Sequence, residues 1–418
     1  MKLKKLKGTK DFFDFDINLF DVIKNIINYS ALKYCYKKID TPIIEMKSLF
    51  CKPLGFNSDI IEKEIYSFSD YDSRIITLRP EFTSAIVRLI INNLCIDNTP
   101  YKFFSYGPIF RYERPQKLRF RQFNQFNFEY IGEISNSVDC ELLLLAYNII
   151  NSLDIEKHVE LNINNIGSYL SMNKYKISLV NYLSSYKYDL SEIDKNRLIY
   201  NPLRILDSKD KKIQIILKDA PNIYNYINNQ SKKNMYIIED ALNNLNVKYK
   251  IKKTLVRGLD YYSDLIFEFN TLFYKNINTI IGGGRYNNLL YYMCNKNIPA
   301  SGFSGGIERI MCLVKKINYY KQIKTKTIYL IPIGLDAEKY SKYLSKKLRE
   351  KFIVHIYYNL SLRKRIHKIN NKKKCYIIFF GDSEIKNRMF KIKNVETGSI
   401  DFITIEKLYY YLNIKLIK

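Results

Sequence analysis

The segment 101–132, YKFFSYGPIFRYERPQKLRFRQFNQFNFEYIG, constrains the fold more than any other part of the chain. Two strand-length runs, 101–112 and 122–131, flank a short charged loop. That loop cannot hold the helical crossover a parallel pair requires, so the runs must form an antiparallel hairpin, and a purely parallel nucleotide-binding sheet is excluded here. Side chains alternate faces along a strand, so Gln125, Asn127 and Glu129 share one face while Phe126, Phe128 and Tyr130 share the other. The aromatic face belongs to a core. Three polar groups in succession on the opposite face fit either a polar ligand that fills their hydrogen bonds or a solvated sheet surface.

Around this hairpin the periodicities are mixed. Residues 17–36 carry apolar side chains at helical spacing, and a strand broken by Pro42 follows. Further on, ITLRP reads as strand, 81–95 and 138–153 as helices, and 158–163 as strand. From about 166 to 250 helix-length segments take over, an expected helical insertion, and strands return over 254–283 around two Gly clusters. After a Lys-rich stretch at 315–326 the chain restarts in β-α-β order. The expected architecture is α+β, with a large domain over 1–325 and a smaller α/β domain over 326–418.

Charge narrows the partner. The 418 residues hold 68 Lys and Arg against 41 Asp and Glu, a net +27, which favours a polyanion such as nucleic acid. A chain rich in Lys, Asn, Ile and Tyr with no Trp also has the look of A/T-biased coding, which raises Lys everywhere. Drift alone does not concentrate it: residues 326–418 hold 21 basic and 8 acidic residues, a net +13. Seven widely spaced Cys without a C-x-x-C pair, and only three His, support neither a disulfide framework nor a zinc site. The longest apolar run, 142–150, contains Asn148 and is a core helix rather than a membrane span. The start MKLKKLKGTKDFFDF lacks the apolar region of a signal peptide, so a cytoplasmic chain is expected.

At the hairpin's mouth, Arg111 ends the first strand, and the loop to Arg121 carries Arg114, Lys117 and Arg119. A guanidinium on a strand can grip a phosphate bidentately, a basic loop suits a phosphodiester backbone, and a solvated turn explains the same charges.

FRYERPQ followed by RQFNQFNFE resembles motif 2 of the class II aminoacyl-tRNA synthetases, specifically the histidyl-tRNA synthetases. Further matches follow in order: KGTKDF at 7–12, the Pro42 region resembling the dimer-forming motif 1, TLRPE at 77–81, NPLRILDSK at 201–209, LVRGLDYYSDLIFEF at 255–269, GGGRY at 282–286, and GFSGGIERI at 302–310 resembling motif 3. The resemblance spans essentially the whole chain. It implies a histidine–tRNA ligase: histidine and ATP give histidyl-adenylate and pyrophosphate, and the acyl group passes to the terminal ribose of tRNA(His). It also implies a homodimer, Mg2+ accompanying the ATP, no DNA partner and an anticodon-binding C-terminal domain.

Neither chemical step needs a protein nucleophile, so positioning and charge stabilisation carry the catalysis. The resemblance puts Arg111 and Arg257 on the α-phosphate and the histidine carboxylate, Arg309 on the γ-phosphate, and Arg119 and Tyr286 beside ATP. It assigns Glu81, Phe82, Thr83 and Gln125 to the amino-acid end, and Arg114 and Gln116 to tRNA. Glu129 offers an acceptor to an imidazole N–H, and Tyr262, with Tyr261 beside it, offers a phenol to the other ring nitrogen. A Glu that starts a helix and two packed core tyrosines are the plainer readings of Glu81 and of that pair. This chain departs from the family's usual residues at Phe82, Tyr112, Leu118, Asn124, Asn127 and Asn287, and Phe82 is expected to crowd the amino-acid pocket. A rival reading is a synthetase-like regulatory or histidine-binding subunit without catalysis, which typically lacks RGLDYY or the C-terminal domain; both are kept here.

Overall fold

The computed structural model describes residues 3–54, 61, 64–94, 99–113, 118–133, 135–208, 210–257, 261–273, 279–317, 327–357, 362–370 and 375–417. The chain divides into two compact units, 1–319 and 320–418.

The first unit is built on an eight-stranded sheet in the order Lys37–Lys38, Tyr101–Phe110, Gln122–Ile131, Ala300–Gly306, Thr279–Arg285, Ser263–Thr271, Val159–Asn165, Tyr249–Ile251. Only the two outermost pairings are parallel; all the inner ones are antiparallel. The expected hairpin is its second and third strands, registered so that Phe103, Ser105 and Gly107 oppose Glu129, Asn127 and Gln125. On the far side, Gly302 and Ser304 oppose Glu129 and Asn127.

Alternation gives this sheet one aromatic and one polar face. Phe128 stacks on Phe303 at 5.1 Å and on Phe104 at 5.6 Å, and Phe126 and Phe267 close on Phe303 at 6.3 and 6.2 Å. Each buried ring contributes about 1.5–3 kcal/mol over exposure. The helix Phe15–Lys33 presents Leu19, Ile23, Ile27 and Ala31, four residues apart, as its buried stripe and packs with helices Asn136–Ser152 and Ile307–Lys316. It stops three residues before the end its periodicity predicts, because Cys35 takes a positive φ of 60° and turns Tyr36 edge-on to Phe128.

Between Tyr169 and Asn244 the described residues form no strand. Helices Tyr169–Ser184, Glu192–Tyr200, Lys211–Ile216 and Asn229–Asn244 each start on a side-chain cap, from Ser168, Ser191, Asp210 and Asn228. Each cap satisfies a first-turn N–H and is worth about 0.5–2 kcal/mol. The strand expected from 254 begins only at Ser263. Asn164 Nδ2 donates to the carbonyls of Lys253 and Leu255 at 3.2 and 2.9 Å, which diverts that backbone from a ladder into the loop that delivers Arg257. The expected strands near Pro42 and at ITLRP are Ile44–Met46 and Ile75–Leu78, which with Ser67–Ser69, missed in the sequence, form a small sheet that holds the Pro42 region; the strand there begins after the proline.

The second unit is a five-stranded sheet in the order Ile353–Ile356, Thr327–Ile333, Cys375–Gly381, Met389–Asn394, Ile400–Thr404. The first three strands are parallel, as the β-α-β restart implies, and the last two form an antiparallel hairpin. Leu330, Leu344, Leu348, Ile378, Phe390 and Leu412 fill one face, and Tyr329, Ile331, Ile369 and Ile377 fill the other. Among the described residues no helix is long and apolar enough to cross a membrane.

Candidate active site

The polar face of the large sheet carries a buried carboxyl at its centre. Glu129 Oε1 accepts from Thr83 Oγ1 at 2.5 Å and from Asn127 Nδ2 at 2.8 Å, and Oε2 accepts from the Tyr286 hydroxyl. Gly302 makes the space: a Cβ there would stand 1.8 Å from Oε2. Burial pushes the Glu129 carboxyl up to about 8, helped by the negative charge of Glu81 and opposed by its three donors. Tyr261, Tyr262 and Tyr286 wall the pocket, with ring centroids 4.9 Å apart for the first two and 5.4 Å from Tyr261 to Tyr286. Burial raises all three phenols, so they are neutral hydroxyls able to donate or accept.

The start of helix Thr83–Asn93 forms another wall. Both oxygens of Glu81 accept backbone N–H groups of its first turn, from Thr83 at 2.6 Å and Ser84 at 2.9 Å, the arrangement the helix dipole favours. The bulk of Phe82 packs in the same core cluster as Tyr261, Tyr262 and Tyr286. The ring is fully buried in the core, with the Arg79 guanidinium 4.4 Å from its centroid, in space left by Gly107. Arg79 in turn donates to the carbonyls of Thr41 at 2.6 Å and Pro108 at 3.1 Å, anchoring the helix start beside the Pro42 region.

Arginines occupy the next stretch of the same face. Arg257 is paired with Glu268 at 2.5 Å and sits 5.6 Å from the Tyr262 ring, in space that a Cβ on Gly282 would fill at 2.4 Å. Burial works against its charge, but Tyr262 and Glu268 outweigh burial and hold its guanidinium above the ordinary value. Its Nε is buried with no acceptor among the described residues. Arg309, on the first turn of helix Ile307–Lys316, donates to the Thr279 carbonyl at 2.8 Å. Burial lowers it, and so do the like charges of Arg111 and Arg119, against the pull of Glu113 and Glu268. Arg111 Nε is held by the Pro80 carbonyl at 2.9 Å, and Arg119 meets Glu113 at 3.2 Å. Cations gathered this closely lack enough counter-charge of their own, and an anion with several oxygens would supply it.

The expected residues therefore divide into two groups. Glu81, Thr83, Glu129, Tyr261 and Tyr262 come together with Tyr286, whose hydroxyl donates to Glu129, while Gln125 lies further along the same strand face, opposite Gly306. Arg111, Arg119, Arg257 and Arg309 form the cationic side. Arg114 and Gln116 lie outside the described residues. Sequence reading missed Glu268, whose place as a lone acid in the apolar run LIFEF was the available signal. It also missed Glu308, whose carboxylate accepts the Asn124 side chain at 2.9 Å and backbone N–H at 2.8 Å, the use this chain makes of an unusual Asn.

Comparison with known proteins agrees in extent. A family profile described as histidyl-tRNA synthetase matches residues 23–310, and one described as anticodon binding domain matches 327–413. The chain is 44% identical over 414 residues to the histidine–tRNA ligase of Wolbachia pipientis wMel, covering 98% of this chain and 100% of that protein. It is 43% identical over 399 residues to that of Ehrlichia canis (strain Jake), covering 95% of each. Among solved structures, apo S. aureus histidyl-tRNA synthetase is similar with a TM-score of 0.79 and 30% identity, covering 98% of this chain and 99% of that one.

Proposed function

The chain belongs to the histidyl-tRNA synthetase family and is a histidine–tRNA ligase using ATP, and on that premise we propose how its residues divide the work. Histidine lies against the tyrosine-walled pocket, its ring N–H donating to Glu129 and its other ring nitrogen accepting from Tyr262. A side chain unable to satisfy both groups would leave one of them buried and unpaired, which is how a polar pocket rejects near-isosteres. Glu81, Thr83 and Gln125 face the α-amino end, and Glu81 shares its helix-start oxygens with the ammonium.

The histidine carboxylate oxygen forms a bond to the α-phosphorus, the bond from that phosphorus to the bridging oxygen breaks, and pyrophosphate leaves. Arg111 and Arg257 neutralise charge on the α-phosphate, with the free Nε of Arg257 as an available donor. Arg119 and Arg309 hold the outer phosphates. In the second step the terminal ribose hydroxyl of tRNA(His) attacks the acyl carbon and AMP departs. Mg2+ accompanying the ATP would offset part of the triphosphate charge, and Glu268 and Glu113, the carboxylates that act on Arg309, are the residues that would hold it. Arg114 and Gln116 are assigned to the tRNA end, and the unit from about 326 to the anticodon stem.

The three-stranded sheet exposes Ile44, Met46 and Phe68 on one face, and this apolar surface supports a symmetric homodimer through the Pro42 region. We place the protein in the cytoplasm, where the described cysteines, which form no disulfide, stay reduced.

The observation that carries the reading is the buried Glu129 carboxyl, held by three donors on the sheet face that also carries Arg257. Its test is histidine-dependent pyrophosphate exchange by protein that sediments as a dimer. Glu129→Gln is expected to raise the histidine KM at least about tenfold with little change in that for ATP. Unaltered histidine KM in the variant, or full activity in a monomer, would overturn the corresponding assignment.

A further inference from the structure

Asn127 is 1% exposed and stands between Gln125 and Glu129 on the polar face. Its Nδ2 donates to Glu129 Oε1 at 2.8 Å and to Ser304 Oγ at 3.0 Å. Ser304 lies directly across on the neighbouring strand, so one amide ties the carboxylate to the strand beside it. The other end of that amide is not satisfied: Oδ1 is buried and meets no donor among the described residues.

An orphaned buried acceptor is costly, and turning the amide over would exchange its two ends. With the carboxylate ionised, the turned amide would set an oxygen against Glu129 Oε1, acceptor facing acceptor. The orientation is therefore dictated by the carboxylate, at the expense of the amide's own oxygen. The remaining donors of Glu129, Thr83 and Tyr286, sit on other elements, so the Asn127 hydrogen bond is the one that belongs to the carboxylate's own strand.

We infer that Asn127 is a positioning residue for histidine selection, whose amide fixes the Glu129 carboxylate as the acceptor that faces the imidazole. The inference rests on the reading of Glu129 as that acceptor. Besides Asn127 and Thr83, the groups around Glu129 are Glu81 at the helix start, Tyr261 and Tyr262 from the loop before Ser263, Tyr286, and Tyr36 from the core side. Among them the Asn127 amide favours the ionised carboxylate, as do the hydroxyls of Thr83 and Tyr286, while burial and Glu81 oppose it.

The test is pyrophosphate exchange by the full-length protein as a function of pH. Asn127→Ala is expected to raise the histidine KM about tenfold, the effect of losing one hydrogen bond to a charged group, with ATP KM and kcat within about twofold. The pH at which histidine KM reaches its minimum should also move upward, because a donor favouring the charged form has gone. Asn127→Leu, an apolar side chain of similar shape, guards against a folding failure and should show the same KM rise and the same pH displacement. Unchanged histidine KM and pH profile in a folded variant would reduce Asn127 to a packing residue. Glu129→Gln measured alongside separates the two readings. If it too leaves histidine KM unmoved, the pocket assignment has failed; if it weakens histidine while the Asn127 variants are silent, only the present inference has.

Discussion

In the first unit the arginines are each held by a particular partner. Arg285 meets Asp139 at 2.6 Å and the Ser135 carbonyl at 2.9 Å, Arg257 meets Glu268, and Arg79 holds the Thr41 carbonyl. In the second unit the helix Leu335–Arg349 buries Ala337, Leu344 and Leu348 and turns Lys339, Lys342, Lys346 and Lys347 to solvent. The first arrangement fixes atoms; the second sets a field. Phosphoryl transfer needs charge at defined points within a water-poor site, whereas holding an RNA backbone needs only neutralisation along a surface. Substitutions should therefore act singly and steeply in the first unit, and additively and with salt in the second.

The steepest effect is expected at Arg257. Arg257→Ala should cut histidine-dependent pyrophosphate exchange by at least about a hundredfold, the scale of removing one charged group that stabilises the transition state, while the variant stays folded with a lowered unfolding midpoint because Glu268 loses its partner. Near-normal exchange in a folded variant would remove Arg257 from the mechanism. The next largest effect separates the units. A chain ending at residue 319, the limit of the first compact unit, should keep exchange within about twofold while tRNA charging falls on the order of a hundredfold. Full charging by that truncated protein, shown to be folded, would dissolve the comparison.

Glu129 yields a subtler effect through pH. Its carboxyl, ordinarily near 4.5, is pushed up to about 8 in the fold, so the native state binds more protons than the unfolded chain between those values. Native stability then falls as pH rises through that window and is unaffected below it, where both states are protonated. The wild-type unfolding midpoint should decline between about pH 5 and pH 8, and Glu129→Gln, which carries no titrating group, should flatten part of that decline by a few degrees. An identical pH dependence in the two proteins would show that the carboxyl is not perturbed.

The same contrast explains what was legible in the sequence. Strand alternation placed Gln125, Asn127 and Glu129 on one face and the phenylalanines on the other, because period two is a local property. Partners brought in by topology were not legible: Ser304 lies 177 positions from Asn127 and Glu308 lies 184 from Asn124. How the bulk of Phe82 is housed was not legible, because nothing near it signals that Gly107 opens space for its ring beside Arg79. The run from 254 looked like strand, yet the side chain of Asn164 draws its carbonyls away from the ladder. In the second unit, the charge excess was legible because surface charge depends on composition, while the hairpin Met389–Asn394 with Ile400–Thr404 carried too weak an alternation to be seen.

The smallest effect is expected from the exposed lysines, and it tests the contrast most directly. Lys346 and Lys347 lie on the solvent side of their helix in its last turn, where the helix dipole favours a cation, and their charge attracts a neighbouring polyanion without a defined geometry. Replacing either by Ala should raise the KM for tRNA about twofold at moderate salt and leave histidine KM and pyrophosphate exchange unchanged. The double variant should approach the product of the two effects, since separate phosphate interactions add. Removing one lysine–phosphate pairing should also lower the slope of log affinity against log salt by about 0.7 to 0.9, so the variants and the wild type converge as salt rises. If instead one lysine abolished charging at every salt concentration, the second unit would hold a fixed pairing of the kind the first unit uses, and the difference between them would be one of degree.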